Sequence, residues 1–345
     1  MPVLQPDALI DTLVENIRKY HRNAGIDRAE LDLSGGIDSA VMLGLLTLAL
    51  GADNLTVPFL GITSNPDALA RASGIASALG VKLIEFDGSA LFNLYLASAK
   101  DAMRAAGYDE GEIDTRITRD PTILGSIRST MRAPWGRGFC RLAGNGIRHG
   151  TGNECEDRWL RFYQKGGDGE VDTNPISMLS KGEVYQLARA LGRRLNAVDA
   201  YERIITAVPS ADLWGVADNH NDQSEVANYL GVQGYPVYSQ IDAEGDYRSL
   251  GLVERVSRWL DAGGWSHTLF ADTASDEEIN TAVLDASVAP EFEGVAGKDI
   301  DALVRAARRI ERMTRHKLNP NCPALTTREY LRSAGILSDS LVFTV

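Results

Sequence analysis

A chain of 345 residues, 44% of them hydrophobic, is long enough for one large domain or a domain with a sizeable appendage, so disorder is not expected. The formal net charge of −12 argues against a protein whose affinity comes from neutralising nucleic-acid phosphates, while leaving room for a small anionic ligand held by a few local cations. No run approaches the roughly 18–20 apolar residues that span a bilayer, and Met1 to Asp11 lacks a basic start followed by an apolar stretch, so a cytoplasmic protein with no membrane and no nucleic-acid partner is expected.

Leu9, Ile10, Leu13, Val14 and Ile17 recur at helical spacing after Pro6 and Asp7, which predicts an amphipathic helix within residues 1–28. Strand and helix then alternate. Ala29 to Leu33, Leu55 to Thr63 and Val81 to Asp87 read as strands, and Asp38 to Leu50 and Asn65 to Gly80 as helices. The alternation predicts an α/β fold: a doubly wound parallel sheet with helices on both faces, binding ligands beyond the carboxyl ends of its strands. Leu91 to Ala106 is again helical in pattern, Gly107 to Asp120 reads as an acidic loop, and Glu183 to Leu191 reads as a helix stopped by Gly192. Residues 226–274 change character, with scattered aromatics that read as local core, and divide a main domain of 29–225 from a closing helical segment of 275–345. Asp299 to Arg315 is a late amphipathic helix within that segment. Cys140, Cys155 and Cys322 are too few and too far apart for a disulfide framework or a zinc site, so they read as reduced thiols.

The strongest chemical signal is Ser34-Gly35-Gly36-Ile37-Asp38-Ser39, between the first strand and its helix. Glycines let the backbone approach a phosphate, and N–H groups at a helix N-terminus point at its charge. Ser34 and Ser39 add hydroxyl donors, and Asp38 suits a magnesium ion that bridges phosphate oxygens. The motif is neither the Gly-Lys-Ser/Thr loop nor the dinucleotide fingerprint of three spaced glycines. It resembles the PP-loop of N-type ATP pyrophosphatases. A second run starts at Gly150-Thr151-Gly152-Asn153 and continues through Glu156, Phe162, Lys165, Gly167-Asp168-Gly169, Asp172 and Asn174-Pro175. Glu156 suits a second metal ligand, Lys165 supplies a cation, and Asp168 places a carboxylate on a turn.

Together with Ser180-Lys181, Pro209 to Leu213, Gln223 to Glu225, Ser275 to Ile279 and His316-Lys317, these runs resemble the ammonia-dependent NAD synthetase family in order, over most of 29–317. The resemblance implies an adenine-nucleotide α-hydrolase-like fold, ATP as co-substrate and Mg2+. It implies that Ser34, Gly35, Gly36, Asp38, Ser39, Thr151 and Lys181 bind ATP, that Asp38 and Glu156 hold the metal, and that Lys165, Lys181 and Asp168 serve catalysis. Arg128, His149, Lys165, Asp172, His316 and Lys317 would bind the second substrate. The family is usually a homodimer, and because no amidase domain fits before Ser34, ammonia would be free or come from a separate glutaminase.

The departures cluster on the second-substrate side. Thr130 stands where the family carries an arginine, Arg148-His149 replace apolar strand residues, and Lys165-Gly166-Gly167 replaces Lys-Tyr-Gly. His149 reads as a satisfied or surface histidine or as a substrate contact, and Arg148, Arg158 and Arg161 as a solvated face or a phosphate clamp. Three functions follow in order: NAD synthetase, a specialised amide ligase acting on another carboxylate, and a non-catalytic nucleotide-binding homologue.

Overall fold

The computed structural model describes residues 5–120, 122–208, 221–242, 247–318 and 326–337. Pro6 starts α1 (Pro6–Ala24) at a position where a missing N–H costs nothing, and Gly25, at φ 65°, ends it. β1 (Ala29–Glu30) is regular for two residues, yet the amides of Leu31 and Leu33 still donate to the carbonyls of Thr56 and Pro58, which carries the extended chain to Ser34. α2 (Ile37–Leu50), the fully buried β2 (Leu55–Gly61), α3 (Pro66–Ala78) and β3 (Leu83–Asp87) follow as the alternation predicts. After α4 (Ser89–Ala105), α5 (Glu110–Arg119) and α6 (Thr122–Leu142), β4 (Ile147–Arg148) completes a parallel sheet of order β3-β2-β1-β4.

Side chains alternate across β1 and β4. Leu31 and Leu33 join a core with α1, α2 and α8 (Lys181–Arg194), whereas Glu30 and Arg148 face α6. Helices therefore cover both faces, as expected. The site loop reaches α8 through the short α7 (Glu154–Asp157), and α9 (Val198–Ile205) packs on α8. A second core gathers α10 (Asp222–Leu230), α11 (Leu252–Ala262), α12 (Trp265–Leu269), α13 (Asp276–Val288) and α14 (Gly297–Thr314) around the buried Trp159 and Leu160. Tyr238 and Trp259 are buried in it, and Tyr229, Tyr235, Trp265 and Phe270 pack against it, so these aromatics are local core. A last helix, α15 (Arg328–Ser333), buries Leu331 against the first core.

Two sequence expectations fail for identifiable reasons. The acidic stretch expected as a loop is α5, whose N-cap Asp109 accepts from the Glu112 amide and whose ends carry acidic and then basic residues. It fully buries only Ile113, with Ile117 half-buried one turn on, so its apolar stripe is too short for hydrophobic periodicity to mark a helix. Gly192 does not stop its helix, which runs on to Arg194, because the missing side chain leaves room for Tyr201 of α9.

Candidate active site

The phosphate loop is shaped by contacts only glycine permits. Gly35 has φ +77°, and a Cβ there would lie 2.2 Å from the Ala68 carbonyl oxygen of α3. Arg71 of α3 holds the loop from the same side through Nε to the Gly35 carbonyl at 2.9 Å. Gly36 is the N-cap of α2 and offers no side-chain cap, so the first-turn amides and the helix dipole remain available to an anion. The Ser34 and Ser39 hydroxyls lie 3.1 Å apart, and Ser39 also donates to the Gly36 carbonyl, which keeps both hydroxyls at the loop.

Asp38, in the first turn of α2, meets residues far away in sequence. The Lys181 ammonium lies 2.6 Å from Asp38 Oδ2 and 2.8 Å from Glu156 Oε1, and is almost fully buried. Ser180 caps α8 in a capping box with Glu183, which puts Lys181 at the helix's first position, where the dipole disfavours a cation. The two carboxylates offset that cost. One ammonium shared by two acids in a dry site explains the electrostatics: burial, with Asp38 adding, pushes Glu156 up to about 7 against the pull of Lys181. Burial alone would lower the Lys181 pKa, yet Asp38 and Glu156 carry it well above its usual value. Asp157 is likewise raised by burial and by Glu156, and takes one hydrogen bond from Asn174 Nδ2 at 2.7 Å.

This donor set fits magnesium completed by phosphate. Asp38 and Glu156 converge hard oxygens on one point of positive charge, and Mg2+ characteristically takes one or two carboxylates plus phosphate oxygens and waters. Among the described residues no group of three or more His, Cys, Asp or Glu could hold a metal without such help.

Thr151, Glu156, Asp157 and Asp168 line a cleft of about 600 Å³. Asp168 Oδ1 accepts from Ser129 Oγ of α6 at 2.7 Å and from the Gln164 amide at 2.8 Å, which fixes the carboxylate on its turn. The loop carrying it is tied to the 3-10 turn after α14: Lys165 Nζ donates to the His316 carbonyl, and Lys317 Nζ to the carbonyls of Arg161 and Tyr163. Burial lowers the Lys317 pKa, with Asp168 opposing. A larger hollow of about 830 Å³ between α3 and α9 is lined by none of the predicted site residues, so volume alone does not mark the site.

None of the six predicted substrate contacts lines this cleft: Lys165, His316 and Lys317 belong to the tie beside it, and the other three are engaged elsewhere. His149 is buried on the face toward α1, stacked on His21 with ring centroids 5.2 Å apart and their Nε2 atoms 3.0 Å apart. Its pKa is lowered to about 3 by burial, the His21 charge adding. Asp172 takes Arg137 Nη1 and Nη2 at 2.8 and 2.9 Å and the Arg148 amide at 2.8 Å. Arg128 lies over the Phe92 ring. Arg148, Arg158 and Arg161 are not a solvated face; they pair with Glu30 and Asp32, with Glu154 and Asp261, and with Glu311, and of the three only Arg158 also lines the cleft. Pro209 to Leu213 lies outside the described residues. Sequence reasoning missed Asn153, Asp157 and Ser129 as neighbours of the predicted groups, although Asn153 closes a quoted motif.

A parallel sheet whose first strand opens into a glycine loop and helix, with Asp38, Glu156 and Lys181 at its carboxyl edge, is an α/β fold of the adenine-nucleotide α-hydrolase type. The chain belongs to the NAD synthase family, whose pattern matches residues 9–242. It is 30% identical over 252 residues to an NH3-dependent NAD+ synthetase of Methanococcoides burtonii, spanning 72% of this chain and 87% of that protein. It is 33% identical over 238 residues to the enzyme of the same name from Halobacterium salinarum, spanning 68% of this chain and 74% of that protein. In fold it is similar to the NMN synthetase of Francisella tularensis, with TM-score 0.60, 19% identity and coverage of 92% of this chain and 99% of that one.

Proposed function

We propose that the chain amidates the nicotinate carboxylate of deamido-NAD with ammonia at the expense of ATP, releasing NAD, AMP and diphosphate, and that it works as a cytoplasmic homodimer. The observation that carries this reading is the meeting of the phosphate loop with Asp38, Glu156 and Lys181, beside a cleft that holds Asp168.

A substrate carboxylate oxygen attacks the α-phosphorus of ATP and diphosphate leaves. The α2 amides, Ser34, Ser39 and Lys181 stabilise the oxygens that gain charge. Magnesium, held by Asp38 and Glu156, would supply Lewis-acid neutralisation of those oxygens. Ammonia nitrogen then attacks the acyl carbon of the mixed anhydride, AMP departs with the bridging oxygen, and Asp168 takes the proton lost by nitrogen.

One observation favours a second reading, an amide ligase for a smaller carboxylate. Thr130 replaces a family arginine, and Arg148, a nearby cation that could offset the loss, is committed to Glu30 and Asp32, which leaves a dinucleotide's diphosphate with less charge to neutralise it. Diphosphate release should be measured with ATP, Mg2+, ammonium and a panel containing deamido-NAD and nicotinate mononucleotide. Deamido-NAD is expected to support the faster turnover at saturation, and its failure while the mononucleotide succeeds would replace the first reading by the second.

The homodimer rests on α4, which buries only Phe92 and leaves Leu91, Leu94 and Tyr95 about half or more exposed. An apolar stripe of this kind suits a second copy. Sedimentation at micromolar concentration should return twice the mass of the chain; a single-chain mass would end that part of the proposal.

A further inference from the structure

We infer that Asn153 is a positioning residue that sets the spacing and orientation of Asp38 and Glu156, and so tunes the metal dependence of nucleotide binding. The inference rests on the reading that those two carboxylates hold magnesium.

The Asn153 side chain is completely buried and spends both ends of its amide on this pair. Oδ1 accepts from the Glu156 backbone amide at 3.2 Å, and Nδ2 donates to Asp38 Oδ1 at 3.0 Å. Asp38 belongs to α2 and Glu156 to the four-residue α7, 118 positions apart by subtraction of their numbers, so one small planar group fixes two elements against each other. A helix as short as α7 has no cooperative stability of its own, and its place depends on the cap.

Lys181 also bridges the pair, through Asp38 Oδ2 and Glu156 Oε1, and leaves Asp38 Oδ1 to the amide. Asn153 holds the other oxygen of Asp38. Its bond does not use Oδ2, so the amide would keep the carboxylate oriented whichever cation the pair holds. A partner that orients a ligand without touching the metal typically changes metal affinity by about 10–100-fold when removed.

Asn153→Ser and Asn153→Thr separate this role from simple capping. Each retains a hydroxyl acceptor for the Glu156 amide, and Ser and Thr are good N-caps, but neither reaches Asp38. The full chain, both variants and Asp38→Asn should be titrated calorimetrically with a non-hydrolysable ATP analogue, with and without Mg2+, and their Tm recorded without nucleotide. In the native chain Mg2+ is expected to strengthen analogue binding. That gain should fall by about tenfold in the Ser and Thr variants with Tm nearly unchanged, and vanish in Asp38→Asn. If the Ser variant fails to fold, the Thr variant carries the test. A native-size gain in the folded variant, with Asp38→Asn still losing it, overturns the positioning role. A native-size gain in Asp38→Asn overturns the metal reading itself.

Discussion

Lys181→Met is expected to reduce diphosphate release by at least about 100-fold, the order of loss seen when one preorganised charge donor leaves a dry site. The ammonium is buried between Asp38 and Glu156 at 2.6 and 2.8 Å. Removing it leaves two acids facing each other without a cation, and breaking a buried charge pair from one side costs about 3–5 kcal/mol. Part of that cost is relieved by protonation, since Glu156 is already pushed up to about 7 by burial and by Asp38, and losing Lys181 drives it higher. Methionine keeps most of the length and the flexibility of the side chain while removing the ammonium, including its approach to the Tyr238 ring, so the loss reports charge. Steady-state diphosphate release and a thermal melt measure the two effects together. Turnover close to that of the native chain would remove Lys181 from the reaction.

The same cluster separates what the sequence makes legible from what it hides. Ser34 to Ser39 is readable because its physics is local: Gly35 must adopt positive φ, and Asp38 must follow in the first turn of α2. That Lys181 reaches Asp38 across 143 residues is not readable from spacing, because it depends on how α8 docks on α2. Charged residues in the sheet misled for a related reason. Arg148 reads by itself as a solvated or phosphate-binding group, but β1 and β4 set it in register opposite Glu30, and Gly136 leaves the space beside the pair on α6. His149 likewise reads as a strand-end residue, whereas period-2 alternation turns it toward His21 of α1. Helices stabilised by caps and charge, such as α5 with only Ile113 and Ile117 on its inner face, carry too short an apolar stripe to detect.

Asp168→Asn is expected to slow amide formation by about 100- to 10,000-fold, the range for losing a positioned general base, while adenylation stays close to native. The substitution is conservative where structure is concerned. Asn keeps an oxygen to accept from Ser129 Oγ and from the Gln164 amide, so the turn holding residue 168 retains both anchors. What disappears is the negative charge and the capacity to take a proton from the attacking nitrogen. The loop's second anchorage, through Lys165 and Lys317 to main-chain carbonyls, does not involve the carboxylate. ATP–diphosphate isotope exchange in the absence of ammonia reads the first half-reaction, and amide formation under single turnover reads the second. Asp168 lies in the cleft with Glu156 and Asp157, so its charge also bears on a bound nucleotide; an equal loss in both half-reactions would assign it to nucleotide binding and withdraw it from ammonia activation.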